Sequence, residues 1–110
     1  INEDRYEAYR DRPDFIQKYI FPGGRLPSPE RFEKAATAAS FAIGDRFFFG
    51  DSYAKTLRRW HKQFETQWPV IKKLGFDDRF HRMWRYYLAY CEAGFRGGAI
   101  NVAQYTLIRS

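Results

Sequence analysis

A chain of 110 residues has room for one domain, and a hydrophobic content of 45% excludes general disorder. Nineteen Lys and Arg against thirteen Asp and Glu leave a net charge of +6, which suits an anionic partner such as a phospholipid surface or nucleic acid without choosing between them. The lone Cys91 excludes an internal disulfide and a cysteine-only zinc site and fits a reducing compartment; no apolar run approaches the ~20 residues that cross a bilayer.

The first residue is Ile1, no signal-peptide pattern comes after it, and the opening reads as the middle of a longer polypeptide. Residues 1–12 are polar with a few tyrosines and no sustained period, which predicts an extended connection. Pro13 and Asp14 suit the first turn of a short helix over Phe15 to Ile20, and Pro22-Gly23-Gly24 stops it. Ser28-Pro29-Glu30 is a second start signal: a hydroxyl cap, a proline in the first turn and an acid near the positive helix end. The helix it opens presents Phe32, Ala35, Ala36 and Ala39 on one side and is expected to end near Ser40.

Phe41 to Phe49 is apolar on both alternating faces, as in a strand covered on both sides. Gly50-Asp51-Ser52 is a turn that also caps the next helix. Tyr53, Leu57, Trp60, Phe64 and Trp68 then recur at helical spacing, with Lys55, Arg58, Arg59 and Lys62 off the apolar stripe. Pro69 is expected to end this helix. Asp77 or Asp78 caps a longer one carrying Phe80, Met83, Trp84, Tyr87, Leu88, Cys91 and Phe95, closed by Gly97-Gly98. Alternation from Ile100 to Ile108 predicts a final strand. Two strands alone form a marginal sheet, so they are expected to extend a sheet supplied by sequence outside this chain.

The residues themselves offer little chemistry. The paired glycines sit at helix exits, where capping explains them, and no glycine-rich nucleotide loop is present. His61 and His81 lie on different helices without an adjacent acid at ligand spacing; no metal site is expected, and both read as partly exposed surface residues. Cys91 lies on an apolar stripe and reads as a buried, inert thiol. Cations beside Tyr and Trp could stack on nucleic acid, but the aromatics follow core spacing and the cations face away.

Three stretches carry a resemblance. Residues 15–28, Phe-Ile-Gln-Lys-Tyr-Ile-Phe-Pro-Gly-Gly-Arg-Leu-Pro-Ser, strongly resemble a signature of the cyclopropane-fatty-acyl-phospholipid and mycolic-acid cyclopropane synthases. Residues 50–60, Gly-Asp-Ser-Tyr-Ala-Lys-Thr-Leu-Arg-Arg-Trp, are similar to the same family's next block. Residues 87–96, Tyr-Leu-Ala-Tyr-Cys-Glu-Ala-Gly-Phe-Arg, and the strand containing Gln104 look like its C-terminal block. Plant alkaloid N-methyltransferases share parts of these blocks.

The resemblance implies an α/β fold: the C-terminal part of a Rossmann-like, S-adenosylmethionine-dependent methyltransferase, with about four helices and the last two, antiparallel, strands of the sheet. Residues 1–110 would then be a C-terminal fragment of a single catalytic domain, inactive alone, with the S-adenosylmethionine site upstream. It further implies methylene transfer to the cis double bond of an unsaturated phospholipid acyl chain, with a bound bicarbonate as base. By motif position Tyr53 would hydrogen-bond the bicarbonate, while Phe21, Leu26, Leu57, Tyr87 and Cys91 would line the acyl tunnel. The residues alone leave each of these open, because a tunnel wall and a core look alike in sequence and Tyr53 could simply pack its ring. The implied location is cytoplasmic and peripheral at the inner membrane face, on phospholipid and not nucleic acid. The rival readings are a small, non-catalytic lipid- or nucleic-acid-binding module, and a relative acting as an N-methyltransferase.

Overall fold

A computed structural model describes residues 1–109. In chain order it contains α1 (Glu3–Asp11), a π-helical turn (Ile16–Ile20), α2 (Pro29–Ala38), β1 (Phe41–Phe48), α3 (Gly50–Lys73), α4 (Asp78–Arg96) and β2 (Ala103–Arg109). The two strands pair antiparallel, from Phe41 opposite Arg109 to Phe48 opposite Ala103, with an irregularity between Ile43 and Arg46. α3 and α4 form a long helical hairpin, and the molecule extends 52 × 28 × 25 Å. Among the described residues no helix is long and apolar enough to cross a membrane.

The first twelve residues overturn the expectation of an extended connection. Their helix lacks an apolar stripe, but Glu3 and Asp4 lie in its first turn, where the helix dipole favours acids. Tertiary contacts complete it. Tyr6 is buried with the Arg31 guanidinium 3.9 Å above its ring, Glu3 pairs with Arg31 at 3.2 Å, and the Asn2 side chain donates to the Gly98 carbonyl at 2.6 Å. Tertiary packing thus supplies what the missing apolar stripe does not.

The helix expected over Phe15–Ile20 is a single π-helical turn starting at Ile16. Asp14 and Gln17 brace it reciprocally: each backbone N–H donates to the other's side-chain oxygen at 2.9 Å. The Gln17 amide also donates to the Gly24 carbonyl at 3.1 Å, which folds the Pro22-Gly23-Gly24 turn back onto the helix. At α2 the expected cap is present. Ser28 is buried, accepts from the Arg31 N–H at 3.2 Å and donates to Glu3. A cap of this kind contributes about 1 kcal/mol. The Arg46 guanidinium grips Glu33 in bidentate fashion and the Tyr105 hydroxyl donates to the same carboxylate at 3.3 Å, fastening α2 to the sheet.

β1 is not covered on both faces within this chain: Phe47 is 62% and Phe48 43% exposed. β2 is shorter at its start than the alternation suggested, beginning at Ala103, because Asn101 uses its side chain to accept backbone N–H groups instead of pairing. α3 also departs from expectation. It starts at Gly50 and runs through Pro69 to Lys73. Proline removes one backbone donor, yet the helix continues one more turn, where the Lys72 ammonium lies 3.9 Å from the Asp78 carboxylate across the hairpin. Trp68 stacks on His81 at 4.1 Å, and the buried Leu57, Leu88 and Cys91 anchor the opposite end among Phe64, Trp84, Tyr87 and Phe95. Trp60, placed on the apolar stripe by spacing, is half exposed. α4 begins at the Asp77 cap, whose carboxylate accepts from the Phe80 N–H at 2.9 Å. It gives way to Gly98 with φ +77°, a conformation that only glycine adopts without strain.

Candidate active-site cavity

One apolar cavity of about 480 Å³ lies where the base of the α3–α4 hairpin meets the segment joining the π-helical turn to α2. That volume falls within the ~300–1,000 Å³ of ordinary ligand sites. All six residues singled out in the sequence line it: Phe21, Leu26, Tyr53, Leu57, Tyr87 and Cys91. Helical geometry explains why. Tyr53 and Leu57 are four apart on α3, Tyr87 and Cys91 four apart on α4, so each pair stacks along one face. The Pro22-Gly23-Gly24 turn brings Phe21 edge-on to Tyr87, with ring centroids 6.5 Å apart.

Tyr53 is held by ring contacts. Its ring meets Phe95 edge-on at 5.0 Å and Trp60 at 5.9 Å. Its hydroxyl has no hydrogen-bond partner among the described residues, whereas the neighbouring Tyr9 hydroxyl accepts the Leu26 N–H at 2.7 Å and the Tyr90 hydroxyl donates to Asp14 at 2.9 Å. Tyr53 therefore has a donor available to an occupant of the cavity. Burial raises the pKa of Tyr87, so it stays a neutral phenol.

Cys91 is buried, and desolvation followed by the nearby Asp14 carboxylate pushes its thiol up to about 11. Thiolate is the nucleophile, so this is a wall residue. The expected result is that iodoacetamide at pH 8 alkylates Cys91 on the order of 100-fold more slowly than a free cysteine, followed by intact mass. Labelling at the free-thiol rate would show the cavity wall to be open and polar.

Several lining residues escaped the sequence reading. Tyr9, Asp14, Gln17 and Arg25 form a polar side of the cavity, and Phe95 and Asn101 complete it near Tyr53. Tyr9 lies on the helix that the sequence pattern did not reveal. Asn101 acts through backbone groups: its Oδ1 accepts from the Gly50 N–H at 2.8 Å and the Val102 N–H at 2.9 Å. The histidines also need correction. Glu65, one turn after His61, receives His81 Nε2 at 3.1 Å and Arg85 Nε at 2.9 Å, with His61 Nε2 at 3.9 Å. An acid is within reach after all, but the carboxylate is occupied by Arg85, and no metal-binding group occurs among the described residues.

The architecture that frames this cavity is part of the α/β fold of Rossmann-like methyltransferases. It aligns with mycolic acid cyclopropane synthase CmaA1 complexed with SAH and CTAB at a TM-score of 0.82 and 28% identity, covering 94% of this chain and 40% of that one. The family model for mycolic acid cyclopropane synthetase matches residues 1–105, and the chain belongs to that family. Tuberculostearic acid methyltransferase UfaA1 of Mycobacterium tuberculosis is 45% identical over 96% of this chain and 25% of its own length. Cyclopropane-fatty-acyl-phospholipid synthase of Escherichia coli is 37% identical over 86% of this chain and 24% of its own. The chain thus spans about a quarter of the length of these relatives.

Proposed function

We propose that the protein carrying this chain is an S-adenosylmethionine-dependent enzyme that transfers a methylene group to the cis double bond of an unsaturated phospholipid acyl chain. Residues 1–110 would belong to a single catalytic domain and contribute the acyl cavity. The observation that carries the reading is the convergence of Phe21, Leu26, Tyr53, Leu57, Tyr87 and Cys91 on one apolar space. Leu57 and Cys91, with 3% and 8% exposure, also belong to the hydrophobic core, so the wall is rigid as well as greasy. A fatty tail entering it exchanges water for methylene contacts at about 0.8 kcal/mol per CH₂.

S-adenosylmethionine, which would be held by residues outside this chain, would supply an electrophilic methyl group. Bicarbonate would supply a base, and Tyr53 is the residue here that fits it, since its hydroxyl has no hydrogen-bond partner among the described residues and a charge-assisted hydrogen bond to an anion is strong. The remaining roles belong to the walls. Phe21, Leu26 and Leu57 exclude water from the reacting alkene, and the faces of Tyr53, Tyr87 and Phe95 favour positive charge developing on the acyl chain. The enzyme would work at the inner face of the cytoplasmic membrane, docked by its positive charge on phospholipid.

The test is lipid mass spectrometry after expression of the full-length protein. Unsaturated phospholipids should gain 14 Da, lose their double bond and keep their headgroups unmodified. A 14 Da gain on an amine headgroup or a small amine would instead identify an N-methyltransferase.

A further inference from the structure

The positive charge of this chain is segregated. Residues 50–96, which form the α3–α4 hairpin, hold ten of the nineteen Lys and Arg and five of the thirteen Asp and Glu. The hairpin therefore carries +5 of the net +6, and all the other residues together carry +1. Within it, Lys55, Arg59, Lys62 and Lys73 fall on one stripe of α3, directed away from α4, with Arg58 beside them. All five are exposed, and none forms an ion pair among the described residues. The helix's one mid-length acid, Glu65, is turned toward α4, onto His81 and Arg85, while Asp51, one turn before Lys55, is the acid that shares the cation stripe.

Alongside the cations runs a second stripe at the same helical spacing: Trp60, Gln63, Gln67, Val70 and Leu74. Its apolar members are exposed by 50%, 56% and 74% for Trp60, Val70 and Leu74. Unpaired cations flanking exposed apolar side chains, including a Trp, are the arrangement of helices that lie in a bilayer interface. Phosphates satisfy the cations, while the apolar stripe enters the acyl boundary. Nucleic acid would meet the cations but leave Val70 and Leu74 in water.

We infer that the outward face of α3, formed by Lys55, Arg58, Arg59, Lys62 and Lys73 with Trp60, Val70 and Leu74, is the surface that docks the enzyme on an anionic phospholipid leaflet. This rests on the acyl-chain reading of the cavity and gives it a geometry. Tyr53 and Leu57 line the cavity from the inner face of the same helix. One helix thus separates bilayer from cavity, a thickness of about 10 Å, so a lipid tail reaches the site without its headgroup leaving the surface.

The experiment compares the full-length protein with a Lys55→Gln/Arg59→Gln/Lys62→Gln variant on two supports: vesicles of phosphatidylcholine with or without phosphatidylglycerol, and detergent-dispersed phospholipid. The variant should bind phosphatidylglycerol vesicles about 100-fold more weakly, since each surface cation contributes about fivefold near an anionic leaflet. Added salt should weaken the parent more steeply than the variant, which keeps only Arg58 and Lys73 on this face. Turnover on vesicles should fall in parallel, with turnover in detergent unchanged. The inference is overturned if the variant binds vesicles as the parent does, if the parent binds neutral vesicles equally well, if turnover in detergent falls as far as on vesicles, or if a duplex oligonucleotide competes the parent off the vesicles. Loss of vesicle binding in the variant, with no methylated lipid from the parent, would keep the docking face and reject the methylene-transfer reading instead.

Discussion

Tyr53→Phe in the full-length protein is expected to lower turnover on the order of 100-fold while unfolding within about 0.5 kcal/mol of the parent. The two halves of this expectation have separate causes. The ring is held by Phe95 at 5.0 Å and Trp60 at 5.9 Å, contacts that phenylalanine keeps. The hydroxyl has no hydrogen-bond partner among the described residues, so its removal leaves no protein group unsatisfied. Its loss should therefore be felt by the occupant of the cavity. Steady-state turnover and KM for the acyl substrate, with urea denaturation beside them, check this. Turnover within threefold of the parent would remove Tyr53 from the chemistry; a fall in stability of several kcal/mol would make it a packing residue.

The largest effect on stability is expected at Gly50, where α3 begins. A Cβ there would stand 2.3 Å from the Asn101 Oδ1 and 3.1 Å from its Cγ. That oxygen accepts two backbone N–H groups, from Gly50 and Val102, so pushing it aside breaks both bonds at once. Two orphaned donors and the displaced chain set the cost of Gly50→Ala at about 3 kcal/mol. Urea unfolding of the full-length protein measures it. The substitution should also reduce turnover, because Tyr53 stands one helical turn further along. In a double-mutant cycle, Asn101→Ala removes the obstacle, so the two changes together should cost less than their sum. Strict additivity, or a Gly50→Ala cost below about 0.5 kcal/mol, would show that the contact is easily relieved.

The elements legible in the sequence were those whose pattern coincides with their packing. Ser28-Pro29-Glu30 and Asp77 announced helix starts because their side chains cap the helices they precede. The stripes of α3 and α4 announced two amphipathic helices because the same residues form the core between them. α1 was hidden, since Tyr6 and Tyr9 find their partners in Arg31 and Leu26, which lie 25 and 17 residues away. Pro69 was misleading for the opposite reason. A local rule predicted a stop, yet the helix runs one turn further to Lys73, with Lys72 reaching Asp78 across the hairpin. The cavity was legible only through the family blocks. Leu57 and Cys91 serve both core and wall, and no periodicity separates those roles.

The passage of α3 through Pro69 has a dynamic consequence. Proline offers no N–H to the Glu65 carbonyl, so the ladder of backbone bonds is interrupted one turn before the helix ends. Val70 to Lys73 can then open and close as a small cooperative unit, while the turn bearing Leu57, at 3% exposure, stays closed. Amide exchange would follow that division, rapid at the hairpin tip and slow at its root. The molecule can thus flex at its far end without disturbing the rings around the cavity.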